Sequence, residues 1–399
     1  MNHNIFERIR MIKSKDIIAI FKFLLAVFLV PFFYSKRKKT WLICEDEQEA
    51  RDNGYWLYKY ICENDKLQDV VYAIDYSSPD FNKVKDVGKT CKYGSINHWL
   101  YYLCGEYNIS SQKGGKPNAA VCYVLEIYGI IKNKNIFLQH GITLNNGQWL
   151  HYKNTKMRLF ICGAQKEYSF IDEYFGYPKD NLKLLGFPRF DQLYDIDVDD
   201  KMILIMPTWR EWLNYKTNAT NKLHYDGVFE HSDYYKYWNE LLTNKRFINF
   251  IEKNNYKVIF FPHRNAQKYL KSFSTISKNV ILSNWKDYDI QFLLKKAVLL
   301  ITDYSSVAID FAYMNKPVLY YTFDIADFRL GQYEEGYFDY DNNELGYSVK
   351  NIDEIISICE NLSEVHFKLN EEKVNNINYF FGIRDKNNCQ RIIDTIKEL

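Results

Sequence analysis

Residues 301–322 read Ile301-Thr302-Asp303-Tyr304-Ser305-Ser306-Val307-Ala308-Ile309-Asp310-Phe311-Ala312-Tyr313-Met314-Asn315-Lys316-Pro317-Val318-Leu319-Tyr320-Tyr321-Thr322. The apolar run from Val298 to Ile301 has the length and content of a buried parallel strand. Val307–Met314 is an amphipathic helix pattern, and Pro317–Tyr321 is a second buried strand. The unit is therefore strand–turn–helix–strand. Ser305 and Ser306 fall where the helix begins. Free backbone N–H groups and partial positive charge at such a start can hold a phosphate. A serine there also serves as a simple N-cap, and the stretch alone leaves both readings open.

The same rhythm extends outward on both sides. Before it come apolar strand patterns at Trp41–Cys44, Asp69–Ile74, Asn135–Leu138 and Met157–Cys162, with helix patterns at Gln48–Glu63, Ile96–Glu106 and Gln165–Phe175. Strands at Met202–Met206, Tyr256–Phe261 and Val280–Ser283 precede the quoted unit, and residues 373–399 read as closing helices. Residues 211–235 are polar and aromatic without periodicity and read as a loop or insertion. Strands alternating with helices predict α/β architecture with parallel sheets. The acidic break Asp195–Lys201 divides the pattern into two Rossmann-like domains, 40–195 and 196–399, preceded by a segment at 1–39. Two such domains face each other across a cleft, and ligands of open α/β sheets sit beyond the carboxyl ends of the strands.

Each suspicious polar cluster follows a strand. His140 comes after 135–138, beside Gly141, which permits close substrate approach. Pro207-Thr208-Trp209-Arg210 follows 202–206, His263-Arg264 follows 256–261, and Asp303 to Ser306 follows 298–301. Histidine is the usual base near neutral pH. His263 and Arg264 form a donor pair suited to a pyrophosphate oxygen; Arg210 and Arg189 are further phosphate candidates. Asp303 and Asp310 are placed to orient partners or to contact ribose hydroxyls.

Composition narrows the partners. The chain has 399 residues, 47% hydrophobic and 26% charged, with a net charge of +2. That is a folded globular composition without the basic footprint of a nucleic-acid binder. Its eight cysteines form no CxxC pair and no zinc-ligand spacing with histidine. They read as reduced, buried thiols of a cytosolic protein. No metal and no cofactor is called for. Ile17–Tyr34 is almost wholly apolar, interrupted by Lys22 and Pro31, preceded by Arg8, Arg10, Lys13 and Lys15, and followed by Ser35-Lys36-Arg37-Lys38-Lys39. The pattern predicts a membrane-associating helix lying in the cytoplasmic face, its basic cluster on anionic headgroups. A single span is the rival reading, against which Lys22 counts.

Ordered blocks across residues 40–345 resemble the CDP-glycerol:poly(glycerophosphate) glycerophosphotransferases of teichoic acid synthesis. These are Ala50-Arg51-Asp52-Asn53-Gly54-Tyr55, His140-Gly141-Ile142-Thr143-Leu144, Gly186-Phe187-Pro188-Arg189, Pro207-Thr208-Trp209-Arg210, Pro262-His263-Arg264, Asp303–Phe311, Tyr320–Asp324 and Gly336–Asp339. The resemblance implies the two-domain GT-B arrangement and monotopic membrane attachment. It implies His140 as the base on the acceptor hydroxyl and His263 as the phosphate-stabilising histidine. Gly141, Thr143, Arg189, Pro207, Thr208, Arg210, Arg264, Asp303, Ser305, Ser306 and Asp310 fall in the substrate-binding set. The implied partners are a CDP-glycerol or related CDP-polyol donor and a lipid-linked saccharide or polymer acceptor, with CMP released at the cytoplasmic membrane surface. The family's common His-Gly-Thr-Pro is His140-Gly141-Ile142-Thr143 here, and Pro262 precedes the second histidine instead of following it. Both departures leave the polyol open between glycerol, ribitol and another. A nucleotide-sugar glycosyltransferase of the same architecture is the alternative, and a non-catalytic membrane adaptor the third reading.

Overall fold

The computed structural model describes residues 13–194, 197–214, 227–332, 334–341 and 345–399. Arg8, Arg10, the first residues of the acidic break and residues 215–226 of the 211–235 loop lie outside them. Strands β1 (Trp41–Ile43), β2 (Val70–Ile74), β3 (Thr90–Lys92), β4 (Tyr107–Ser110), β5 (Asn135–Phe137), β6 (Leu159–Cys162) and β7 (Leu182–Leu184) form one sheet in the order β3-β2-β1-β4-β5-β6-β7. Strands β8 (Met202–Met206), β9 (Lys257–Phe260), β10 (Val280–Leu282), β11 (Leu299–Thr302), β12 (Val318–Tyr321) and β13 (Tyr347–Val349) form the second, in the order β10-β9-β8-β11-β12-β13. Every pairing is parallel, as with Leu299 opposite Ile203. The expected α/β architecture of two Rossmann-like lobes is what the chain adopts. Each sheet reverses its winding between its first and fourth strands, β1/β4 and β8/β11, which opens a crevice at their carboxyl ends.

Parallel strands bury both faces, and β1 shows how. Trp41 and Ile43 enter one core with Tyr58, Ile61 and Tyr72, whereas Leu42 and Cys44 enter another with Val71, Trp99 and Cys122. The predicted helix Gln48–Glu63 begins only at Asn53. Its intended first turn is instead wrapped around the buried Glu45 carboxylate, which accepts from the backbone N–H groups of Arg51, Asp52 and Tyr55. Asp52 then caps the helix.

The two lobes share packing. Phe190 stacks on Tyr313 at 4.2 Å and meets Phe381 edge-on at 5.9 Å. The helix Asn388–Lys397 belongs to the second half by sequence yet lies on the first lobe. Cys389, Ile392, Ile393 and Ile396 are buried with Trp41, Ile43 and Leu57. Each buried isoleucine contributes roughly 1.5–3 kcal/mol, so apolar contact binds the helix. Asp191 fixes its start, with Oδ1 accepting from Asn388 N at 2.9 Å and Oδ2 from Cys389 N at 2.8 Å.

The apolar N-terminal segment is one helix, Ser14–Arg37, long and apolar enough to cross a membrane. It is docked along the body. Ala19 and Ala26 are buried, and Phe23 packs on Trp99 at 5.4 Å. Lys22 Nζ donates to the Gly94 carbonyl at 2.7 Å, and Arg37 donates to Asn97 and lies 4.2 Å from the Tyr101 ring centroid. The other face exposes Ile17, Phe21, Leu24, Leu25, Phe28 and Phe32.

Replacing Asp191 by Ala is expected to lower unfolding stability by about 1–3 kcal/mol, because two backbone donors of the returning helix lose their acceptor. Urea denaturation of the wild type and variant checks this.

Candidate active site

His140 stands on a loop held from three directions. After β5 the chain enters a left-handed conformation at Gln139 (φ 59°). Asn53 Nδ2 donates to the carbonyls of Leu138 (3.3 Å) and Gln139 (2.7 Å). Gln139 Nε2 donates to the Ile161 carbonyl at 2.8 Å and to Glu167 Oε1 at 3.1 Å. Glu167 also accepts from the backbone of Thr143 (2.5 Å) and Gly163 (2.7 Å), and Thr143 Oγ1 donates to Gln139 Oε1 at 2.6 Å. Thr143, a predicted binding residue, therefore has its hydroxyl proton committed to the loop. Burial pushes the Glu167 carboxyl up to about 7 against the opposing pull of these donors.

With its neighbours fixed, the His140 ring projects into the cleft, open to solvent but walled in by both lobes. That crowding, reinforced by the nearby Arg189 cation, lowers its pKa below the ordinary imidazole value, while a hydrogen bond to the Ser111 backbone pulls the other way. With one ring nitrogen turned to the Ser111 backbone, the other is the candidate proton acceptor.

His263 faces it from the second lobe. Its backbone N–H donates to the Pro207 carbonyl at 3.0 Å. Its Nδ1 accepts from Asn265 N at 3.2 Å, so the proton sits on Nε2. The ring stacks on Trp209 at 6.1 Å. Burial, His140 and Arg264 together push it down to about 4. The shifts of both rings favour the neutral form near pH 7. Arg264 crosses the cleft to pair with Glu49 of the first lobe and lies over the Trp285 ring at 4.9 Å.

The turn after β11 closes against the His140 loop. A Cβ on Gly141 would lie 2.7 Å from Ser306 Oγ and 3.2 Å from Ser306 Cβ, so any side chain here must push the Ser306 hydroxyl aside. Ser306 occupies the position before the helix without making a side-chain cap bond, and Ser305 Oγ accepts a long bond from Val307 N at 3.4 Å. Both hydroxyls line the cleft. Thr208 does too, and its Oγ1 is buried without a hydrogen-bond partner among the described residues.

The two phosphate-candidate arginines are structural ties. Arg210 is fully buried and does not reach the cleft. It donates to Asp324 at 2.8 and 2.9 Å, to the Thr208 carbonyl at 2.7 Å, and sits 2.9 Å from Asp303 Oδ2. Asp303 accepts the backbone N–H groups of Thr208 and Tyr304, so it holds the β8 and β11 loops together and contacts no cleft. Arg189 touches the cleft wall, but its guanidinium is engaged by Asp310 (2.6 and 2.8 Å) and by Asp52 (2.8 Å). Asp310 is thereby an interlobe partner as well as a lining residue. The sequence reading assigned no role to Glu45, Asn53, Gln139, Glu167 and Asp324. Asn53 and Asp324 had a sequence signal, within the 50–55 and 320–324 blocks.

Between the lobes lie two adjoining cavities of 330 and 340 Å³. The first takes in Arg264, Pro207, Trp285, Gln291 and Asp310, the second Gly141, Thr143, Trp149, Thr208 and Trp209. His140, His263, Ser305 and Ser306 line both.

Fold and site together define a GT-B-like protein with an interlobe ligand cleft. The chain belongs to the CDP-glycerol:poly(glycerophosphate) glycerophosphotransferase family, whose model matches residues 24–398. It is 34% identical over 385 residues to the minor teichoic acid biosynthesis protein GgaB of Bacillus subtilis (strain 168), covering 92% of this chain and 41% of that protein. It is 25% identical to the teichoic acid poly(ribitol-phosphate) polymerase of Bacillus spizizenii (strain ATCC 23059 / NRRL B-14472 / W23), over 95% of this chain and 59% of that one. The chain thus spans about half the length of these relatives. A structure of the wall teichoic acid polymerase TagF superposes with a TM-score of 0.64 at 14% identity, covering 97% of this chain and 98% of that one. A UDP-GlcNAc 2-epimerase from Neisseria meningitidis shares the fold more loosely, with a TM-score of 0.51 at 13% identity over 90% of this chain and all of that one (100%).

Gly141→Ala is expected to separate the lobes and cost about 1–3 kcal/mol of stability, with weaker nucleotide binding. Thermal unfolding and CMP calorimetry on the same preparation check both effects.

Proposed function

We propose that the protein transfers a polyol phosphate, glycerophosphate foremost, from a CDP-polyol to a hydroxyl of a lipid-linked or growing teichoic-acid-like acceptor, releasing CMP. The carrying observation is that two neutral histidines and two serine hydroxyls form the common wall of two cavities. One cavity suits the donor and the other the acceptor, with the reaction at their boundary. The acceptor oxygen attacks the polyol-bearing phosphorus and gives its proton to the free nitrogen of His140. The bond from that phosphorus to the bridging oxygen breaks, and CMP leaves with that oxygen. His263 Nε2–H, the serine hydroxyls and Arg264 supply donors to the phosphate oxygens. Positioning and charge neutralisation are the main demands of phosphoryl-group transfer.

The docked N-terminal helix supports attachment to one leaflet. Its polar side chains, Lys22 among them, are bonded to the body, and its apolar ridge faces outward. The ridge seats the protein on the cytoplasmic membrane surface, where a lipid-linked acceptor resides.

His140→Ala is expected to reduce turnover of CDP-glycerol by at least about 100-fold while CMP binding persists. Unchanged turnover removes His140 as base. Because protonation inactivates a base and the crowding of the ring lowers this pKa, the acid limb of the kcat/KM profile should be centred below the free-imidazole value. Binding of UDP-sugars without any CDP-polyol binding would select a glycosyltransferase instead. Deleting residues 1–35 should release the protein from membranes with nucleotide binding intact, as measured by sedimentation with vesicles.

A further inference from the structure

The 330 Å³ cavity has two chemically distinct ends. One holds His140, His263, Arg264, Ser305 and Ser306 and suits phosphates and hydroxyls. The other is an apolar wall. Met206 closes β8, Phe261 follows β9, and Ile290 and Leu294 lie one turn apart on the helix Ile290–Lys296. Met206, Phe261 and Leu294 are all buried.

Gln291, on the same helix between Ile290 and Leu294, adds a polar side chain to that wall. Gln291 lines the cavity and is 7% exposed, and its amide oxygen has no hydrogen-bond partner among the described residues. Its backbone N–H is taken by Asp289 Oδ1 at 2.9 Å, which fixes the residue at the helix start but leaves the amide oxygen unanswered. A buried acceptor without a donor is a cost that native structures seldom carry without cause. An apolar slot with a placed polar group fits a flat heterocycle better than it fits a ribose or a phosphate.

We infer that Gln291 reads the base of the nucleotide, its amide oxygen accepting from the 4-amino group of cytosine. This rests on the reading of the cleft as a CDP-polyol site and adds how the cytidine is chosen. Uracil offers a carbonyl oxygen where cytosine offers N–H, so the same position sets two acceptors against each other. Discrimination arises because the wrong base leaves a buried polar group unpaired.

Calorimetry with CMP, UMP and 2′-deoxy-CMP tests the assignment on the full chain. The wild type should prefer CMP to UMP. Gln291→Met should weaken CMP binding about 10- to 100-fold with UMP unchanged, so that the preference collapses. Gln291→Glu, which keeps the acceptor, should retain it and covers the case in which the Met variant fails to fold. The penalty for removing the 2′-hydroxyl should be equal in all three proteins. A folded Met variant that keeps the CMP preference overturns the inference. So does one that loses discrimination against 2′-deoxy-CMP instead, because the amide would then read the ribose. Wild-type protein that binds neither CMP nor UMP overturns the donor reading itself, and this inference with it.

Discussion

One buried cation joins the halves of this molecule. Arg189 spends three N–H groups on Asp52 of the first lobe and Asp310 of the second. A charge taken out of water is tolerated only when its partners are close and well oriented. Satisfying Arg189 therefore requires both carboxylates to be present at once, which fixes the distance between the lobes. The cleft width, the contact of Gly141 with Ser306 and the meeting of the two histidines all follow from that distance. Asn53 adds to the coupling. Its Oδ1 accepts from Arg189 N while its Nδ2 holds the Gln139 carbonyl, so the interlobe tie and the His140 loop share one side chain.

The chemistry that results is one of neutral groups held ready. Neither histidine is charged near neutral pH, and the fixed positive charges nearby are largely occupied by carboxylates. The groups left facing the cleft are hydroxyls, ring nitrogens and one arginine shared with Glu49. Such a surface offers neutral hydrogen-bonding groups beside a partly neutralised cation.

Strands with unbroken apolar runs were legible from sequence. Met202–Met206 has the predicted limits, and Val318–Tyr321 starts one residue after the predicted Pro317. The strands that escaped notice are short and carry polar residues, as in Thr90–Lys92, Tyr107–Ser110, Leu182–Leu184 and Tyr347–Val349. Their identity comes from pairing with a neighbour, which no local pattern encodes. The site followed the same rule. His140, His263, Ser305 and Ser306 were visible because each follows a strand end. The engagement of Arg189 and Arg210 by carboxylates was not legible, because Asp52, Asp310 and Asp324 are remote from them in sequence. Glu167 carries no sequence signal of its own, and its burial under the His140 loop depends on tertiary structure alone.

The returning helix Asn388–Lys397 has a bearing on biogenesis. The core around Trp41 and Ile43 includes side chains synthesised an entire lobe later. During translation the first sheet emerges with that flank uncovered and must wait, unsealed, while the second sheet is made. Contacts so distant along the chain form slowly, and the waiting intermediate presents bare apolar surface. The ridge of Ser14–Arg37 leaves the ribosome still earlier. That exposed apolar ridge is therefore available for contact before the body it docks against is complete.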